Sequence, residues 1–119
     1  MSAPLKYIAA VALAVENFDR ASRFYAETFD LKPAYENGRF IGYYVGKTKL
    51  MLKSGALVLP TKQPNPRITI EVADALAMQN VLHGKGIEVS DAVRDYDGFL
   101  VGSFIDSEGN KLWFCSAMK

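Results

Sequence analysis

With 119 residues, 50% of them hydrophobic and 23% charged, the chain suits one small domain with a buried core, or one domain built from two short similar halves. Lys plus Arg (14) against Asp plus Glu (13) leaves a net charge of +1, which gives no support to a nucleic-acid or membrane-surface partner. A single cysteine, Cys115, and a single histidine, His83, exclude an intrachain disulfide, a cysteine zinc cluster and any site needing two histidines from one chain.

The first apolar stretch, Tyr7 to Val15 after Lys6, imitates a short secretory signal. It carries one lysine and runs straight into a helix start, so a strand is the preferred reading. Asn17 or Asp19 can accept the free amide hydrogens of that helix, and Phe18, Ala21, Phe24, Tyr25, Thr28 and Phe29 recur at helical spacing. Leu31-Lys32-Pro33 predicts its end, because proline disfavours helical geometry in its predecessor. Strand-like runs follow at Ala34 to Glu36, Phe40 to Val45 and Lys49 to Lys53, with Asn37-Gly38 as a tight turn. Ser54 to Pro66 reads as a connector, its three prolines hostile to interior strand pairing. Arg67 to Val72 alternates like a half-buried strand, and Asp74 caps a helix whose apolar residues include Leu76, Met78, Val81 and Leu82. Gly84 and Gly86 stop it. Strands are predicted near Ile87 to Val93, Phe99 to Ile105 and Lys111 to Ser116.

Both halves therefore read βαβββ. Val11, Leu13 and Val15 fall on Ile68, Ile70 and Val72 at one constant offset, which also carries Phe24 and Tyr25 onto Val81 and Leu82. The repeat is one of pattern rather than of letters. The expected organisation is a first module over 1–53, a connector over 54–66 and a second module over 67–119.

Val11-Ala-Leu-Ala-Val15 with Phe24-Tyr25, and Phe104-x-Asp106-x-x-Gly109-Asn110 near the end, make the chain resemble the vicinal-oxygen-chelate superfamily. Its members include glyoxalases, extradiol dioxygenases and bleomycin-resistance-type binding proteins. Ser107 stands where that family usually has proline. The resemblance implies an α+β fold in which two βαβββ modules form a curled mixed sheet, a cup with helices outside. It also implies a divalent metal in the enzymes, held by His, Gln or Glu near the start and end of each module. Carried over by position, those places hold Ala10, Met51, Arg67 and Trp113. Alanine has no donor, arginine stays cationic, methionine is soft and the indole nitrogen offers only a hydrogen. Glu71 lies roughly 13 Å further along the strand from Arg67 at about 3.3 Å per residue, too far to substitute.

Strand alternation then sorts the lining. Ala10, Ala12 and Ala14 leave volume in the cup, and Arg67, Thr69 and Glu71 lie inside or at its rim. Met51, Trp113 and Cys115 point the same way, with Tyr43 and Phe99 or Val101 as further wall residues. Arg67 either recognises an anionic group or pairs with Glu71 or another acidic neighbour. Glu71, if desolvated, is the candidate general base, whereas Cys115 reads as a small buried hydrophobe and His83 as a helix-end or water-facing residue.

The expected function is metal-free binding of an aromatic or amphipathic small molecule, without a cofactor, by a cytoplasmic homodimer resembling the bleomycin-resistance, antibiotic-sequestering branch. Trp113, Met51, Arg67, Glu71, Tyr43 and Thr69 are the expected ligand-binding residues, with no nucleic-acid or membrane partner. The alternatives are a metal-dependent glyoxalase- or dioxygenase-like enzyme and a structural or regulatory dimer without a ligand.

Overall fold

The computed structural model describes residues 3, 5–55, 59–64 and 66–118. Parts of the proline-bearing connector, residues 56–58 and 65, lie outside them. The chain divides into two compact units that meet between Leu59 and Pro60.

The first unit runs β1 (Ala10–Ala14), α1 (Phe18–Thr28), β2 (Lys32–Glu36), β3 (Arg39–Val45) and β4 (Thr48–Lys53). Its sheet has the order β1-β4-β3-β2, with β1 parallel to β4 and the other pairs antiparallel. The second unit repeats this: β5 (Thr69–Glu71), α2 (Ala75–Gly84), β6 (Val89–Tyr96), β7 (Phe99–Ile105) and β8 (Lys111–Ala117), in the order β5-β8-β7-β6. The fold is α+β, two βαβββ modules each built on a four-stranded mixed sheet. Among the described residues no helix is long and apolar enough to cross a membrane.

The caps decide between the sequence alternatives. Asn17, not Asp19, is the N-cap of α1, its side-chain oxygen accepting from the Arg20 amide at 2.9 Å. Asp74 does the same for α2 through the Ala77 amide. Helix α1 stops at Thr28, earlier than Pro33 requires, and Pro33 lies inside β2, an edge strand of its sheet. Of the apolar residues expected on α2, Leu82 is fully buried while Leu76 and Val81 are about half exposed.

The turn entering β8 is held from within. The Asp106 carboxylate accepts from the amides of Glu108 and Asn110 at 2.9 and 2.8 Å, and Gly109 supplies a φ of +94°. Asn110 Oδ1 accepts from the Thr61 amide, and Thr61 O accepts from the Lys111 amide, tying the end of the connector to the start of β8.

Candidate functional site

In each unit one face of the sheet carries the helix and the other does not. Leu13 and Val15 in the first unit, and Leu112, Phe114 and Ser116 in the second, are buried on the helix side. Alternation and register then assign the helix-free faces. On the first sheet that face carries Ala10, Ala12 and Ala14, with Lys49, Met51 and Lys53 as their partners on β4 across the parallel β1–β4 pair. Ala10 and Ala12 are exposed and Met51 half-buried. Lys49 bonds Glu36 at 3.2 Å.

Tyr43 is not on this face. It pairs with Leu50, is 6% exposed, and its hydroxyl donates to the Ser22 carbonyl of α1 at 2.9 Å. Burial, then repulsion from Tyr35, pushes its phenol above the usual tyrosine range. The cause of the misplacement is a bulge: Ala34 pairs with Gly42 but Tyr35 with Phe40, so β3 carries an extra residue. Alternation is broken there, and Phe40 and Tyr43 come to pack ring to ring at 5.3 Å. Tyr44 takes the helix-free side instead. With Tyr7, Lys32, Gly46 and Lys47 it lines a solvent-open groove of about 540 Å³.

The second sheet assembles most of the predicted site. Thr69 pairs with Trp113 and Glu71 with Cys115, and Val101 and Phe99 pair with Cys115 and Ala117, all on the helix-free face. Arg67 lies over the Trp113 indole, its guanidinium carbon 4.1 Å from the ring centroid, so its contact is with the ring and not with Glu71. Lys111 approaches the same ring at 4.5 Å. Trp113 is half-buried; Arg67, Thr69 and Glu71 are exposed. Glu71 therefore lacks the burial that its proposed general-base role required. Cys115 is half-buried rather than buried, and His83 is exposed in the last turn of α2.

Sequence reading missed three members of this cluster. Lys111 Nζ sits 2.6 Å from Asp91 Oδ2, and Ser103 Oγ donates to the same oxygen at 2.6 Å while accepting from the Asp91 amide at 2.9 Å. Lys111, then Ser103, holds the Asp91 carboxyl below its ordinary range. Lys111 is two residues before Trp113 on one strand, so alternation alone places it. Asp91 carries no such signal: β6 shifts register on both sides of it, and it bonds Ser103 while the Val93 amide on the same strand donates to Gln79 of α2.

The residues at the four metal-ligand positions do not fit a divalent metal. Ala10 and Met51 lie on one sheet, and on the other Arg67 and Trp113 hold each other. Among the described residues no three His, Cys, Asp or Glu side chains gather as ligands.

The family model described as Glyoxalase/Bleomycin resistance protein/Dioxygenase superfamily matches residues 7–114, and the chain belongs to that superfamily. Solved structures of the same fold include TnmS3, an antibiotic binding protein from Streptomyces sp. CB03234. It is 19% identical, with a TM-score of 0.77 over 98% of this chain and 99% of that one. A lactoylglutathione lyase from Agrobacterium tumefaciens is 17% identical, with a TM-score of 0.75 over 96% of each chain. A superfamily member from Sphaerobacter thermophilus is also 17% identical, with a TM-score of 0.78 over 94% of this chain and 98% of that one. No curated protein matches the chain.

Proposed function

We propose that the protein binds an aromatic or amphipathic small molecule without a metal, sequestering it rather than transforming it. The observation that carries this reading is Trp113, half-exposed on a helix-free sheet face and overlaid by a cation where a metal enzyme would place a carboxylate. An indole with exposed surface, flanked by polar groups, suits a flat ligand held by stacking and one or two polar contacts. The likeness to TnmS3 is one of fold and supports the reading only as a precedent for binding on this scaffold. In this reading the working form is a cytoplasmic homodimer.

Trp113 is the only tryptophan, so its fluorescence reports this face alone. A panel of aromatic and amphipathic compounds should quench or shift it, and Trp113→Ala should weaken calorimetric binding by on the order of ten-fold, about 1.4 kcal/mol. Metal analysis of the purified protein should find no divalent ion at one per chain. A stoichiometric metal whose removal abolishes an activity would replace this reading with the enzymatic one. Silence across the panel would favour a structural role.

A further inference from the structure

Resting on the binding reading above, we infer that the ligand of the Trp113 face carries an anionic group, a carboxylate, sulfonate or phosphate, and that Arg67 holds it. Among the described residues, three cations lie on or beside this face of the second sheet. Lys111 is committed to Asp91, which Ser103 also orients. Arg94 lies over Tyr96 at 5.8 Å on the edge strand β6. Arg67 is exposed and has no carboxylate partner among the described residues, and it rests against the indole.

That contact leaves Arg67 available. A guanidinium resting on an aromatic ring is attracted through its face, while its N–H donors lie in its own plane and stay unspent. Those donors form a fork that matches a planar or tetrahedral oxyanion in two parallel bonds. Glu71, at the end of the β5 strand that follows Arg67, is four residues away, roughly 13 Å at about 3.3 Å per residue of extended chain. Asp91 is already neutralised by Lys111, whose ammonium lies 4.5 Å from the same ring. An anion beside Arg67 therefore meets one uncompensated cation next to an ion pair that is neutral overall. Beyond the indole, Val101 and the 52%-exposed Phe99 offer apolar surface for the rest of the ligand.

The test uses the full chain and two probes of one shape, naphthoate and its neutral isostere naphthamide, titrated calorimetrically. Naphthoate should bind tighter by on the order of ten-fold, as a charge-assisted bidentate contact contributes. Arg67→Gln should abolish that preference, lowering naphthoate affinity more than naphthamide affinity, while Arg94→Gln should keep it. Equal affinity of the two probes for the wild type would overturn the anionic inference and leave the binding reading standing. A preference lost in Arg94→Gln but kept in Arg67→Gln would overturn the assignment to Arg67. Failure of both probes to bind would count against the inference and the binding reading together.

Discussion

The two units share one topology but differ in where most of their aromatic side chains lie. In the first, aromatics fill the helix side: Phe18 meets Phe40, Phe24 and Tyr25 meet Phe29, and Phe40 meets Tyr43. Its helix-free face carries alanines, Met51 and lysines, with Tyr44 as its aromatic on β3. In the second, α2 buries only Ala75 and Leu82 and is fastened by polar staples. Ser116 Oγ accepts from the Ala75 amide, and Gln79 Oε1 accepts from the Val93 amide. Its helix-free face receives Trp113, Phe99 and Tyr96. A repeat can thus conserve its hydrophobic pattern while moving its chemistry from core to surface. The helix-free face of the second unit is the one on which the proposed binding rests.

The sharpest way to break the comparison is through one buried glycine in each sheet. A Cβ at Gly42 would stand 2.1 Å from the Leu50 carbonyl oxygen, and its φ of +149° is one that L residues rarely adopt. Backbone cannot move aside cheaply, so Gly42→Ala should cost about 3 kcal/mol or more. Its counterpart Gly102 meets side chains instead, Val93 Cγ2 at 2.8 Å and the Phe114 ring at 2.9 Å. Overpacking of that kind costs about 1–3 kcal/mol, so Gly102→Ala should be the milder change. Urea unfolding of both variants checks the order; the reverse ranking would show that the bulge of β3 yields more readily than the aromatic core of the second unit.

Tyr43→Phe is a smaller perturbation of the first unit. It removes a hydroxyl that reaches α1 from β3, while the Ser22 carbonyl keeps its partner within the helix. The expected loss is about 1 kcal/mol. The sign with pH follows from the raised phenol: its stabilising effect is full below the ordinary tyrosine value of about 10 and is lost as pH rises through the raised one. The variant should therefore flatten the alkaline limb of the stability profile, and an unchanged limb would mean that another group sets it.

Legibility in the sequence tracks where alternation survives. Strands β1, β4 and β8 are free of bulges, and for them the period of two correctly separates Ala10, Ala12 and Met51 from Leu13, Leu50 and Leu52. Trp113 and Arg67 are placed by the same rule, although their mutual contact is a matter of tertiary geometry. Tyr43 is misread because an inserted residue in β3 reverses the sides, and no local signal in Phe40 to Val45 beyond Gly42 announces it. Asp91 is missed for the same reason on β6, and its partners are 12 and 20 residues away along the chain. The exposure of Leu76 and Val81 is a further limit, since helical spacing names apolar residues without saying which of them the sheet will cover.

The smallest expected effect concerns that missed aspartate. Lys111 and Ser103 lower the Asp91 carboxyl, so the stability it contributes is complete above the ordinary aspartate value of about 3.9 and is lost as pH falls through the lowered one. Because Asp91 is 36% exposed, solvent screens the pair, and the contribution should stay within about 1 kcal/mol. In Asp91→Asn the gap in stability from wild type should be present at neutral pH and close as the solution is acidified below pH ~4. A gap that stays constant down to strong acid would mean that Asp91 acts through the shape of the β6 bulge rather than through its charge. Naphthoate affinity offers a second reading of the same variant. Freed from its carboxylate, Lys111 should add to the positive charge at Trp113, so the charged probe should bind at least as tightly as before. If it instead weakens while naphthamide does not, Asp91 would be orienting Lys111 onto the ligand, and the second unit would recognise its anion with two cations rather than one.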